Sequence, residues 1–223
     1  MVQVFSRVRG ALLAGACAVV LSGCAGNVAP EVKRLPERVE LSGTFYRGEA
    51  NQSGPQVLAS LLSQQGIVIT PGLLEKPLHL PGAEDKLQQN MQNLAREYGL
   101  VVYPLDSQLP ALLTQVAAGY PVMVRFSEGS AFWAEPRYAI LSGYDRNKQK
   151  VLLRAGMNRR QLMDFGSFQA ALEKAGGWAI LIQKPSQIPA AVDRSLWLKA
   201  ADELAQAGEE NAAAQARKAL AAQ

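Results

Sequence analysis

Gln52-Ser53-Gly54-Pro55, running into Gln56 to Gln65, and the later Tyr138-Ala139-Ile140-Leu141-Ser142-Gly143-Tyr144-Asp145 decide how this chain folds. The first stretch is a small polar turn that opens a helix. Val57, Leu58, Leu61 and Leu62 fall on one face of it; Pro55 suits a first helical turn, with Ser53 or Gly54 near the cap. The second is a strand, Tyr138 to Tyr144, whose exit Asp145-Arg146-Asn147-Lys148 turns back into a partner strand at Val151 to Arg154.

Outward from these, periodicity supplies the remaining elements. Ile67 to Thr70 is β-branched and short, a strand ended by Pro71-Gly72. Asp85 to Tyr98 places Leu87, Met91, Leu94 and Tyr98 at the spacing of an amphipathic helix, stopped by Gly99. Leu100 to Tyr103 reads as a strand. Leu109, Leu112, Leu113 and Val116 repeat the helical pattern up to Gly119. Val122 to Phe126 is a further strand, Phe168 and Leu172 mark a short helix, and Trp178 to Ile182 closes the sheet. Helices first and an antiparallel sheet after them is the order of an α+β domain.

Taken together, Gln52-Ser53-Gly54-Pro55 at a helix start and Tyr138 to Asp145 on a strand resemble the bacteriocin-processing, double-glycine cysteine peptidases, family 39 of the papain-like clan, in their stand-alone lipoprotein branch. The family's first motif reads Gln-Cys-Gly-Pro, and its second has the form His-Tyr-Ala-Val-Val-Val-Gly-Tyr-Asp. Leu78-His79-Leu80-Pro81-Gly82, Leu153-Arg154-Ala155-Gly156 and Arg159-Arg160 are also family-like, and the likeness runs from Leu41 to Ile182. It implies a papain-like fold, with N-terminal helices packed on an antiparallel sheet over residues 40–184. In such enzymes a cysteine stands at the helix N-terminus because the helix dipole lowers its pKa.

The catalytic positions do not carry that chemistry. Ser53 stands at the nucleophile, Arg137 at the histidine, Arg47 near the oxyanion glutamine, and Arg154 near the acid that orients the histidine. A serine hydroxyl needs an adjacent base, and a guanidinium stays protonated and cannot accept the proton. The single histidine, His79, sits in a proline-flanked loop and reads as a loop residue. Ser53 reads as a helix cap, and the domain as a degenerate peptidase. A groove remains an expectation: Ser53, Gly54 and Tyr138, joined by Arg47 or Arg137, would favour a carboxylate or another anion. One histidine, no usable cysteine and scattered acids make neither a zinc nor an iron site, and no cofactor motif is present.

The N-terminus reads as an address. Arg7 and Arg9 precede an apolar run, Ala11 to Val20, too short to span a bilayer. The run meets Leu21-Ser22-Gly23-Cys24, which resembles the bacterial lipobox, in which the thiol is diacylated and the chain is cut before it. Residues 1–23 are then a signal peptide, Cys24 is the lipid attachment and membrane lipid is the first partner. Ala25, by resemblance to sorting rules, favours the periplasmic face of the outer membrane. Asn27 to Val39 is rich in Pro, Glu, Lys and Arg without periodicity, so 24–39 reads as a tether. Removing Arg7 and Arg9 takes 23 basic residues to 21 against 19 acids, so the net charge falls from +4 to +2. No basic helix or basic-aromatic stripe suggests nucleic acid.

After Pro185 the composition shifts to alanine. Leu196, Ala200, Ala201 and Leu204 before Gly208, and Ala212, Ala216, Ala219 and Leu220 after it, describe a helical hairpin over 186–223. With Trp197 on its first helix it resembles one tetratricopeptide-type repeat. A lone repeat cannot bury its own face, so it packs on the domain, on another copy as a homo-oligomer, or on a partner; docking on its own domain is the favoured reading. The functional expectation is a membrane-anchored, non-catalytic module that binds a peptide or envelope protein. The alternatives are an active peptidase using Ser53 and a structural envelope lipoprotein.

Overall fold

The protein is described by a computed structural model over residues 29–49, 52–129 and 134–223. The expected signal segment, 1–23, and Cys24 lie outside the described residues. Among the described residues, seven strands form one antiparallel sheet: β1 (Arg38–Glu40), β2 (Val101–Pro104), β3 (Val122–Gly129), β4 (Ala134–Asp145), β5 (Lys150–Ala155), β6 (Asn158–Asp164) and β7 (Ala179–Gln183). The order is β2-β7-β3-β4-β5-β6, with β1 on β4 beyond the start of β3. Among the described residues, eight α-helices accompany it: α1 (Pro30–Lys33), α2 (Ser53–Gln64), α3 (Pro71–Glu75), α4 (Leu87–Glu97), α5 (Leu109–Ala117), α6 (Phe165–Lys174), α7 (Arg194–Gln206) and α8 (Glu210–Ala221). This is the expected α+β architecture, with helices against an antiparallel sheet.

Alternation along the strands sorts the core into two layers. Val102, Met123, Tyr138, Ile140, Ile180 and Ile182 face α2 and α4, where Leu58, Leu62, Met91 and Leu94 meet them. Their neighbours Val101, Val124, Phe126, Ala139, Leu141 and Leu181 face the other way, onto α5, α6 and the α7–α8 hairpin. Because side chains on a strand alternate with period two, one sheet feeds both layers without a polar face between them. α2 is sandwiched so fully that every residue from Ser53 to Leu62 is buried.

Several expectations are corrected. Ile67 to Thr70 is not a strand: Val68 is fully exposed, Ile69 is buried, and Ile67 packs half-buried against the same layer without a strand to pair with. Pro71, at the first helical position, starts α3 instead of ending a strand. β6 was not foreseen, because its polar Asn158-Arg159-Arg160-Gln161 run hides the pattern of an edge strand. The last strand, β7, does not lie at the sheet's border; it sits between β2 and β3. Tyr98, expected on the apolar face of α4, is 39% exposed.

The free tether expected over 24–39 is also corrected, from residue 29 onward. Val32 is buried, and Val39 pairs with Tyr144 in the sheet. The side chains of Arg146 and Asn147 bond back to Lys33 O and Glu37. Gly143 makes the pairing of β1 feasible, since a Cβ there would stand 2.4 Å from Val39 O. Apolar residues spaced too irregularly for one helix still find separate seats along an existing sheet edge.

Candidate functional site

Ser53 is the first residue of α2, whose cap position belongs to Gln52. The cap expected of Ser53 is therefore corrected. Its Oγ accepts a hydrogen bond from the Tyr138 backbone N–H at 3.1 Å, joining α2 to β4. This amide lies short of the β4–β5 pairing, which begins at Ile140, so the serine takes the place of a strand partner. Gly54 lets α4 pack close: a Cβ would come within 2.9 Å of Leu87 Cδ2 and 3.2 Å of Met91 Sδ and push both side chains aside. The two sequence motifs that decide the fold thus meet at one buried hydrogen bond.

Arg137 does not join them. The pleat that sends Tyr138 towards α2 sends Arg137 to the opposite side, where its Nη2 meets Glu135 at 2.9 Å and its Nε lies 3.9 Å from Glu128. Tyr138 contributes its backbone alone. Its ring packs edge-on against Trp178 at 5.7 Å, and burial pushes the phenol up to about 12, so it stays protonated at ordinary pH. Arg47 is exposed, and among the described residues no hydrogen bond links it to Ser53 or Arg137. It belongs to a strap, 41–49, that runs back along α2: Gly43 packs on Gln64, Tyr46 N–H reaches Ser60 Oγ at 3.4 Å, and Gln56 Nε2 reaches Glu49 O at 3.4 Å.

Arg154 is placed by the same strap. It is only 4% exposed, its Nη2 donates to Leu41 O, and its Nη1 lies at Gly43 beside Gln64. Gln64 ends α2, about 16 Å from Ser53 at 1.5 Å per residue. The anion cleft expected of Ser53 with Arg47 or Arg137 is corrected: Arg137 points to the other side of the sheet and Arg47 lies exposed on the strap. His79 is exposed in the loop after α3, and no hydrogen bond joins it to Ser53 among the described residues. No cluster of three or more histidine, cysteine or acidic side chains forms a metal site among the described residues.

A groove of about 670 Å³ lies elsewhere, between α4 and α7, lined by Gln92, Arg96, Lys199 and Glu203 among others. The Arg96–Glu203 pair, at 2.5 Å, ties its two walls together. It marks where the hairpin meets the domain, and none of its lining residues belongs to the Ser53 region.

Among solved structures, a protein described as a C39-like peptidase from Bacillus anthracis superposes with a TM-score of 0.50, at 15% identity, over 67% of this chain and 98% of that one. The chain has the fold of a C39-like peptidase. The peptidase domain of Streptococcus ComA, a bifunctional ABC transporter involved in quorum sensing, gives a TM-score of 0.47 at 16% identity, covering 66% and 98% of the two chains. No protein-family model matches the sequence, and no curated protein matches it. Within the C39-like fold, Ser53 at the start of α2 and the Tyr138 strand are the motifs legible in sequence. The side chains around them were not, because the pleat and the 41–49 strap decide where each guanidinium goes.

Proposed function

We propose that this is a lipid-anchored envelope protein in which a C39-like peptidase fold serves as a peptide- or protein-binding scaffold without hydrolysing its client. The observation that carries this reading is the Ser53 hydroxyl, buried and accepting the Tyr138 N–H, while the guanidinium of Arg137 is committed to Glu135 and Glu128. A serine becomes a nucleophile when a base removes its proton. Arg137 cannot do so at any ordinary pH, the Tyr138 phenol is held protonated by burial, and His79 lies in an exposed loop. Anchoring is supported by Leu21-Ser22-Gly23-Cys24, a few residues before the chain joins the fold at Pro30. No described helix is long and apolar enough to cross a membrane.

One preparation tests the proposal. Full-length protein and a Cys24→Ala variant are purified from cells fed labelled palmitate, and the wild type is assayed on a peptide carrying a Gly-Gly site. The expected result is label on wild type only, saturable binding of the peptide and no cleavage. Cleavage that disappears in Ser53→Ala would establish a working serine site and overturn the non-catalytic reading; equal label in both proteins would overturn the anchor.

A further inference from the structure

A second cavity, of about 280 Å³, opens where β1 runs into the strap, over β5 and β6. Ser42, Arg154, Arg159 and Arg160 line it, with Glu40 and Leu41 at the β1 side. Three guanidinium groups thus face one carboxylate. That carboxylate is already engaged: Glu40 Oε1 and Oε2 accept from Arg160 at 2.7 and 2.9 Å, and Oε2 also meets Arg38 at 3.2 Å. Arg154 is different in kind from a surface arginine. It is more than nine-tenths buried, and no acid lies within salt-bridge distance of it among the described residues. Its Nη1 has no hydrogen-bond partner among them.

A buried, always-charged group without a counter-charge is costly, and such groups are ordinarily paired. Burial, and next the nearby charge of Arg159, both press the Arg154 guanidinium towards the neutral form, with only Glu40 opposing them. An anion between Arg154 and Arg159 would reverse both penalties. The Arg159 guanidinium and the Ser42 hydroxyl, with the Arg154 and Arg160 guanidinium groups beside them, offer donors in more directions than the two coplanar oxygens of a carboxylate use. A tetrahedral oxyanion presents three oxygens and matches them.

We propose that the cavity formed by Ser42, Arg154, Arg159 and Arg160 is a binding site for a phosphate group. The site is independent of the Ser53 region and of whether the protein hydrolyses anything, since Arg154 lies towards the opposite end of α2. The phosphate is either free or carried on a lipid headgroup, because both present the same terminal oxygens.

The test is calorimetric titration of the full-length, detergent-solubilised protein with inorganic phosphate, against chloride at matched ionic strength. A parallel titration uses dihexanoyl phosphatidic acid, below its micelle concentration. Wild type is compared with Arg159→Gln, an exposed position, and with Arg154→Lys, which keeps the charge but loses the fork. Saturable binding in wild type is expected, weakened about tenfold or more in each variant, as for one lost charge-assisted hydrogen bond. Phosphate alone binding identifies a free-anion site; the lipid binding more tightly and competing with phosphate identifies a headgroup site. Arg159→Gln carries the test if Arg154→Lys does not fold. No saturable binding of either probe, or affinities unchanged in the folded variants, would overturn the proposal.

Discussion

At Ser53 a single hydroxyl takes on the work of a strand. The Tyr138 N–H it accepts is buried, so deleting the acceptor strands a donor away from water. Ser53→Ala is expected to destabilise the fold by about 1–3 kcal/mol, the penalty for an unsatisfied buried group, as read from urea denaturation. An unchanged midpoint would mean that the amide is satisfied in another way. Arg154 shows the complementary case. Its Nη2 fastens the strap at Leu41 O and its Nη1 is buried at Gly43 beside Gln64, while the side chain also lines the cavity proposed above. At this scale the identity of a side chain says what it can do, and the pleat says to whom.

Among the elements, β1 is attached electrostatically as well as by hydrogen bonds. Glu40 ties it to Arg160 on β6, and the Arg160 hydrogen bond, with a smaller share from Arg38, holds the Glu40 carboxyl below its usual range despite partial desolvation. A carboxylate whose folded pKa is depressed contributes its stabilisation above the unfolded value, near 4.5. The contribution is lost as the pH falls through the lower folded value. The Leu41 amide, which donates to Ser142 O at 2.8 Å next to this pair, is therefore expected to lose hydrogen-exchange protection below pH 4.5 before the β3–β4 amides do. Because Glu40 is largely solvated, salt should weaken the effect. Protection that persists in Glu40→Gln at neutral pH would show that backbone pairing alone holds β1.

The whole molecule is closed by its C-terminus. Trp197 is fully buried, donates from Nε1 to Ala216 O at 2.8 Å, and packs at 6.1 Å from the Tyr103 ring. Ala200, Ala201, Leu204, Ala213 and Ala216 belong to the same apolar layer as Val124, Leu141 and Phe168. The hairpin therefore covers the sheet face that β2 and β7 would otherwise expose, and its own apolar face is buried because its partner is its own domain. Trp197→Ala should cost about 3–5 kcal/mol, as for a large aromatic removed from a packed core, and should lower the thermal midpoint of the entire chain in one transition. Two separate transitions would instead describe a hairpin that folds independently of the sheet.

Periodicity and turn chemistry by themselves determined most of the elements. α2, α4, α5 and the β4–β5 hairpin are local patterns of apolar spacing, proline and glycine, and they survive in the structure within a few residues. The Ser53 and Tyr138 motifs were legible for the same reason, since helix starts and strand alternation are short-range properties. Only the tertiary structure decided what depends on distant neighbours. It made the 29–40 segment part of the sheet, left Ile67 to Thr70 without a strand to pair with, and gave the polar β6 an edge to occupy. It also sent Arg137 to one side of the sheet and Arg154 to the far end of α2. Long-range contacts choose among the conformations that local sequence permits, because burial and backbone pairing are settled by which surfaces meet, and a linear pattern carries no record of that.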